Sequence, residues 1–135
     1  MILHLSFEEL RAIASAGELI VADEARGSAG VAAAPEWARK MELLLVRLTG
    51  DVSIETLDDQ RRVRETVGLI VGQMHRRLDE QIIETHPGHE ESVALYFDYA
   101  HARSVLDRLD RMGAEMEAIA DLIAGGDRGA VTFPD

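Results

Sequence analysis

Apolar residues recur at steps of three and four along most of this chain, which is the spacing of amphipathic helices. The first such stretch begins beside Ser6 and Glu9, whose separation is that of a capping box at a helix start. The pattern predicts a first helix from Ser6 to about Ala25, with Phe7 on its buried face. A glycine-rich connector follows, and Pro35 then suits the first turn of a second helix.

The second predicted helix is short and ends near Gly50, because glycine permits a left-handed cap. Ser53 is placed to cap a third helix, which reaches about Thr85 before Pro87 forces a tight reversal. The predicted buried sides of these two helices consist of Trp37, Met41, Leu44, Leu45 and Leu48 in the second, and of Leu57, Val63, Val67, Ile70, Met74, Leu78 and Ile82 in the third.

A fourth helix follows the reversal, and its apolar stripe is the most regular in the chain. The stripe consists of Ala102, Val105, Leu109, Met112, Met116, Ile119 and Ile123, widened by Leu106, Gly113 and Ala120. The helical pattern ends at Gly125 and Gly126. If the hairpin reverses at Pro87, His75 of the third helix lies level with Tyr99 of the fourth.

These elements predict an all-α fold. It is an elongated helical bundle of four helices per chain, built on the long antiparallel hairpin of the third and fourth helices. Residues 1–126 form a single helical-bundle domain in this prediction, and residues 127–135 form a tail. Within the tail, Ala130–Phe133 can form a short strand beside Ile2–Leu5, which would make a terminal strand pair.

The lengths of the two hairpin helices suggest a partner. Roughly 31 and 36 residues at ~1.5 Å rise each give helices of about 46 and 54 Å. A compact monomer of this size has a radius of gyration of only ~14 Å. The first two helices can cover one side of the hairpin, and a second copy can cover the remaining side. Because closed twofold pairs are the commonest soluble assemblies, we expect a homodimer.

Composition narrows the possible function classes. The net charge of −11 argues against binding to nucleic acid, because contacts with phosphates need clustered Lys and Arg. The chain has no cysteine, which excludes disulfides, thiolate metal sites and cysteine nucleophiles. No apolar stretch approaches the ~18 residues of a membrane span, and the sequence begins without a secretory signal. We therefore expect a cytoplasmic protein that binds neither membrane nor nucleic acid.

Two groups of polar residues can carry chemistry. His86 and His89 flank the predicted turn and, with nearby carboxylates, can bind a divalent metal. Such residues are ordinary in exposed turns, so we favour a solvated turn here. Asp98 and His101 lie one helical turn apart, and His75 falls near them across the hairpin, so this group can bind a metal or a small ligand.

Asp98 also has a simpler interpretation. It falls where the apolar stripe, extended backwards from Val105, places a core residue, and a buried carboxylate needs a partner. We favour a structural salt bridge, for example to Arg76 or Arg103, over a role in metal binding or catalysis.

The fourth helix carries a cluster of aromatic residues. Tyr96, Phe97 and Tyr99 lie within one turn, so they cannot all face one core, and at least one should face outward. An exposed aromatic residue suits a protein interface, whereas an isolated exposed tyrosine needs no function. Together with Val105 and Met112 of the apolar stripe, these three residues make up the predicted interface.

The sequence contains no nucleophile motif, no phosphate-binding loop and no paired metal-ligand motif of the di-iron bundles. We therefore expect a non-enzymatic helical-bundle protein that acts through homodimerisation and contact with another protein, as adaptors, antitoxins and immunity proteins do. No cofactor is expected. The alternative is a bundle that binds a divalent metal or a small ligand between its third and fourth helices.

Overall fold

The computed structural model describes residues 1–27, 50–84, 90–123 and 132–133 of the chain. This part is mostly helical, with three helices and a small two-stranded sheet. In chain order the elements are β1 (Ile2–His4), α1 (Phe7–Gly27), β2 (Asp51–Ser53), α2 (Leu57–Glu84) and α3 (Glu90–Ile123). The first, third and fourth predicted helices are thus confirmed as α1, α2 and α3. The predicted second helix and the reversal at Pro87 lie outside the described residues.

The start of α1 is the predicted capping box. The Ser6 amide donates to Glu9 Oε1 at 2.9 Å, and the Glu9 amide donates to Ser6 Oγ at 3.2 Å. The assignment of Phe7 to the buried face is wrong, because its side chain is 75% exposed. Glu9 and Ile13 point inward instead, at 6% and 0% exposure, and Phe7, two residues before Glu9, lies on the far side of the helix from Glu9.

Helix α2 begins later than the sequence suggested. The residue that caps it is Thr56, whose Oγ1 accepts from the Asp59 amide at 3.1 Å. Ser53, the predicted cap, belongs to β2 and pairs with Ile2 of β1. The strand therefore occupies the residues that local capping signals assigned to the helix start. Gly50, just before β2, has a φ of 116°, a backbone conformation that favours glycine.

Both chain ends meet the segment that precedes α2. Strand β1 pairs antiparallel with β2, with Leu3 opposite Val52, and both of these side chains are 3% exposed. On the other end, Thr132 forms a bridge with Thr56, and the Phe133 amide donates to Glu55 O at 2.7 Å. The predicted pairing of Ala130–Phe133 with Ile2–Leu5 is therefore wrong in its partner, because the 51–56 segment pairs with both ends.

The hairpin of α2 and α3 carries most of the core. Every predicted buried position of α2 whose side chain is described is buried, namely Leu57, Val63, Val67, Ile70, Met74 and Leu78. Most of the α3 stripe is buried as well, but Ile123 is 70% exposed. It lies beyond the level of Glu117, which contacts Arg61 in the first turns of α2, so no part of α2 faces it. No described helix is both long and apolar enough to cross a membrane.

The register of the hairpin agrees with the prediction. The rings of His75 and Tyr99 lie 5.7 Å apart between centroids, with their planes tilted by 54°. About three turns further from the reversal, Arg64 Nε lies 2.8 Å from Asp110 Oδ1. Both contacts fit the antiparallel register that the sequence predicted for these two helices.

Helices α2 and α3 approach each other closely at Gly113. Gln60 is 3% exposed, and its side-chain amide donates a hydrogen bond of 2.6 Å to the backbone carbonyl of Leu109. A Cβ atom at Gly113 would lie 2.8 Å from Gln60 Nε2. Glycine is therefore needed here for space and not for an unusual backbone conformation.

The substitution Gly113→Ala should lower the free energy of unfolding. The added methyl group displaces the Gln60 amide and breaks its buried hydrogen bond, which costs about 1–3 kcal/mol, against a gain of about 1 kcal/mol in helix propensity. We expect a net loss of roughly 1 kcal/mol, measured by urea unfolding followed by circular dichroism.

Gly72→Ala is the matched control for this experiment. Gly72 is exposed within α2, and nothing lies within 4 Å of the position that a Cβ would take. The same change should therefore raise the free energy of unfolding by about 1 kcal/mol. Stabilisation of similar size at both glycines would show that the Gln60 contact does not constrain α3.

Candidate interaction surface

Within the described residues, two ion pairs join α1 to α3. Nη2 of Arg108 donates to Glu9 Oε2 at 2.7 Å, and Nη2 of Arg11 donates to Asp98 Oδ1 at 2.7 Å. The Glu9 side chain is 8% exposed, whereas that of Asp98 is 25% exposed. Because solvent screens the second pair more, the first should contribute more to the stability of the α1–α3 contact.

Glu9 uses both carboxylate oxygens, one to cap α1 and the other to bind α3. Burial acts to raise its pKa, but the Ser6 amide and the Arg108 guanidinium outweigh burial, so the pKa lies below the ordinary value of 4.5. Glu9 is therefore ionised at neutral pH. Arg108 Nε is buried without a hydrogen-bond partner in the described part of the chain, which offsets part of the gain.

The side of the hairpin away from α1 is bridged by charged side chains. Arg61 Nη2 lies 3.3 Å from Glu117 Oε1, and Arg64 Nε lies 2.8 Å from Asp110 Oδ1. These four side chains are about half exposed, as is typical of a solvated surface. Asp110 and the α1-binding Arg108 are two residues apart on α3, so they face opposite sides of the helix. Exposed apolar surface is found elsewhere on α3.

That apolar surface lies on the outer side of the first turns of α3. Val93, Tyr96 and Phe97 are 45%, 56% and 58% exposed, and Ala100 is exposed as well. These four residues, the α3 outer stripe, occupy positions i, i+3, i+4 and i+7 of the helix, so they lie along one face. The rings of Tyr96 and Phe97 meet edge to face, 6.1 Å apart between centroids. The stripe is thus an exposed apolar face with two aromatic rings in contact at its centre.

The other residues of the predicted interface face inward. Tyr99 is partly buried and packs against the core beside His75. Val105 is 1% exposed within the chain's own core, and Met112 is half-buried against that core. In this conformation Val105 is out of reach of a second chain. Two of the three clustered aromatic residues face outward, where the sequence required at least one.

Two of the three predicted ligand residues, Asp98 and His75, bind separate partners. Asp98 is bonded to Arg11 of α1, which is a structural salt bridge of the expected kind but with a different arginine. His75 lies 3.3 Å from Asp79 on its own helix, and His101 is half-buried. Within the described ranges, no group of three or more His, Asp or Glu side chains is arranged to hold a metal ion. His86 and His89 lie outside the described residues.

A small cleft lies where the three described helices meet. It has a volume of about 80 Å³, and its lining includes Ala12, Ser15, Gln73, Leu95 and Asp98. Sites for small-molecule ligands usually measure ~300–1,000 Å³. The cleft has room for little more than a few water molecules.

Sequence reasoning missed two features of this surface. The buried position of Glu9 was signalled by its place in the capping box, but the arginine that it binds lies far along the chain. Of the α3 outer stripe, Tyr96 and Phe97 were predicted as interface residues, but Val93 and Ala100 were not, although their helical spacing from the two aromatic residues is visible in the sequence.

Comparisons of the chain with protein-family models, with curated proteins and with solved structures each found no match.

Glu9→Gln should destabilise the chain at neutral pH and weaken its sensitivity to acid. The charged form of Glu9 contributes its stability fully above the unfolded-state pKa of about 4.5. That contribution is lost as the pH falls through the lower folded-state pKa. We expect the variant to lose roughly 1–3 kcal/mol at pH 7 and the difference from the parent to shrink below pH 4, measured by urea unfolding across pH.

Glu8→Gln is the control, because Glu8 is exposed in the same first turn of α1. The Glu8→Gln variant should lose only about 0.3–1 kcal/mol of unfolding free energy, which is the contribution of a surface carboxylate at a helix start. If both variants change stability equally at every pH, Glu9 does not act through its buried contacts.

Proposed function

We propose that this chain is a non-enzymatic helical protein of the cytoplasm that acts by associating with other protein chains, first of all with a second copy of itself. Adaptors, antitoxins and immunity proteins work in this way. The observation that supports the proposal is the α3 outer stripe, an exposed apolar face with two aromatic rings in contact, on a helix that also packs against α1 and α2. This mode of action needs no cofactor.

The composition of the stripe favours a protein partner. Single exposed apolar residues are common, but adjoining ones cost solubility unless a partner covers them. Tyrosine and phenylalanine bring large apolar area with few rotatable bonds, so ordering them in a complex costs little entropy. Both types of residue are enriched at the centres of protein interfaces.

The local charge also favours association. The chain has a net charge of −11, yet Asp98 is the only acidic residue between Ser92 and Ser104. Asp98 is neutralised by Arg11, and the nearby Arg103 is paired with Asp107 at 3.3 Å. The stripe itself therefore carries no charged residue, although Glu90 and Glu91 precede it within one turn, so repulsion between two stripes is confined to that end.

The alternative hypothesis is a metal or small ligand bound between α2 and α3. One observation favours it, since Asp98 lines the cleft between the helices. We rank it second because Asp98 is already bonded to Arg11, and because His75 has its own contacts with Tyr99 and Asp79.

Phe97→Glu should abolish self-association while leaving the fold intact. Phe97 is already 58% exposed, so the new carboxylate disturbs no core contact. In a complex, however, the carboxylate would be buried, which is costly for an unpaired charge. The molar mass from light scattering on a sizing column should rise with concentration for the parent chain. For the variant it should stay at the monomer value, with the same helical circular dichroism.

Leu122→Glu is the matched control, because Leu122 is an 87% exposed apolar residue at the other end of the same helix. It removes the same kind of surface and adds the same charge, and it should leave the concentration dependence unchanged. A parent chain that stays monomeric at every concentration would contradict self-association. Equal effects of the two variants would contradict the role of the stripe.

A further inference from the structure

We propose that two copies of this chain pair through their α3 outer stripes in an antiparallel arrangement, with the twofold axis passing between Tyr96 and Phe97. This inference rests on the proposed function and specifies the partner and its orientation. The partner is a second copy of the chain, whose stripe meets the same stripe on the first.

The spacing of the stripe is self-complementary in this orientation. Tyr96 and Phe97 stand midway between Val93 and Ala100, so an antiparallel pair centred on the two aromatic residues places Val93 opposite Ala100 at both ends. At each end of the pair, the larger side chain of Val93 thus faces the smaller side chain of Ala100. Near the axis, each aromatic residue lies close to its own symmetry mate, which forms a cluster of four rings.

The shape and charge of the surface favour a second copy over an extended peptide. The stripe is the convex face of a single helix, and among the described residues the surface depression beside it is lined by α3 alone, including Tyr96, Ala100, Arg103 and Ser104. Another helix with an equal apolar face fits such a surface, since two helices pack at ~8–10 Å between their axes. The low local charge lets two chains of net charge −11 meet there.

The size of the stripe limits the strength of the pair. Two half-exposed aromatic side chains with Val93 and Ala100 offer roughly 300–400 Å² of apolar contact per chain. Stable complexes bury about 800 Å² per partner. The pair is therefore a weak one that dissociates on dilution, so the experiment needs a concentration series and a covalent trap.

The absence of cysteine from the chain makes a clean trap possible. Val93→Cys and Ala100→Cys are prepared as separate single-cysteine chains and treated with a short bis-maleimide, each alone and as an equal mixture. Leu122→Cys is the control for random collision, because it is exposed on the same helix but far from the stripe. Cross-linked dimer is measured on a denaturing gel.

The antiparallel pair predicts cross-linking in the mixture and little in either variant alone. In that pair the two Val93 positions lie about 10 Å apart along the helix, whereas Val93 lies opposite Ala100 of the second copy. Cross-linking of each variant alone, without enhancement in the mixture, indicates a parallel pair and overturns the inference. The inference is also overturned if every sample gives no more cross-linked dimer than the Leu122→Cys control.

The two proposals fail separately. If the parent chain dimerises and Phe97→Glu prevents this, the proposed function stands whatever the cross-linking pattern, and the pattern alone decides the orientation. If the parent chain stays monomeric at every concentration, the mass measurement overturns both self-association and the paired geometry. Phe97→Glu introduced into each cysteine chain should remove the mixture-specific cross-link.

Discussion

Helix α3 has 34 residues and packs against α1 and α2, which have 21 and 28 residues. These two helices cover two sides of α3, which is ~10 Å wide, and on a third side Val93, Tyr96 and Phe97 stay exposed in the described part of the chain. Since neither neighbour runs the whole length of α3, its last turn projects as well. The incomplete cover around α3 leaves the α3 outer stripe exposed. The shorter length of its neighbours leaves Leu122 and Ile123 exposed at its end.

Buried polar contacts decide how the two neighbours sit on α3. The Gln60 amide binds the Leu109 carbonyl, and Glu9 binds Arg108, so both contacts fall in one short stretch of α3. Apolar side chains alone tolerate several helix registers, whereas a buried polar group without its partner costs about 1–3 kcal/mol. The polar contacts thus select one register. Towards the start of α3 the link to α1 is the more exposed pair of Arg11 and Asp98.

Local signals in the sequence predicted the helices well and the non-local pairings poorly. The capping box at Ser6, the buried side of α2 and the level of His75 with Tyr99 depend on residues close in the chain or on one reversal, and all are confirmed. The prediction of Ser53 as a cap was wrong because Ser53 pairs with Ile2 of β1, some fifty residues earlier in the chain. The predicted partner of the C-terminal segment was wrong for the same reason, since so short a segment carries no signal of what it pairs with.

The exposure of the α3 outer stripe also could not be predicted from local sequence signals. Helical periodicity indicates that a face is apolar, but only the positions of the neighbouring helices decide whether that face is covered. Extending the buried stripe back from Val105 leads to Asp98, which faces α1 through Arg11, while Val93 and Phe97 lie on the side that no described helix covers. An apolar face without a neighbour has a cost in water, and on this chain it coincides with a stretch of low local charge. The coincidence of exposure and low charge favours association as the function, because either property alone is common on protein surfaces.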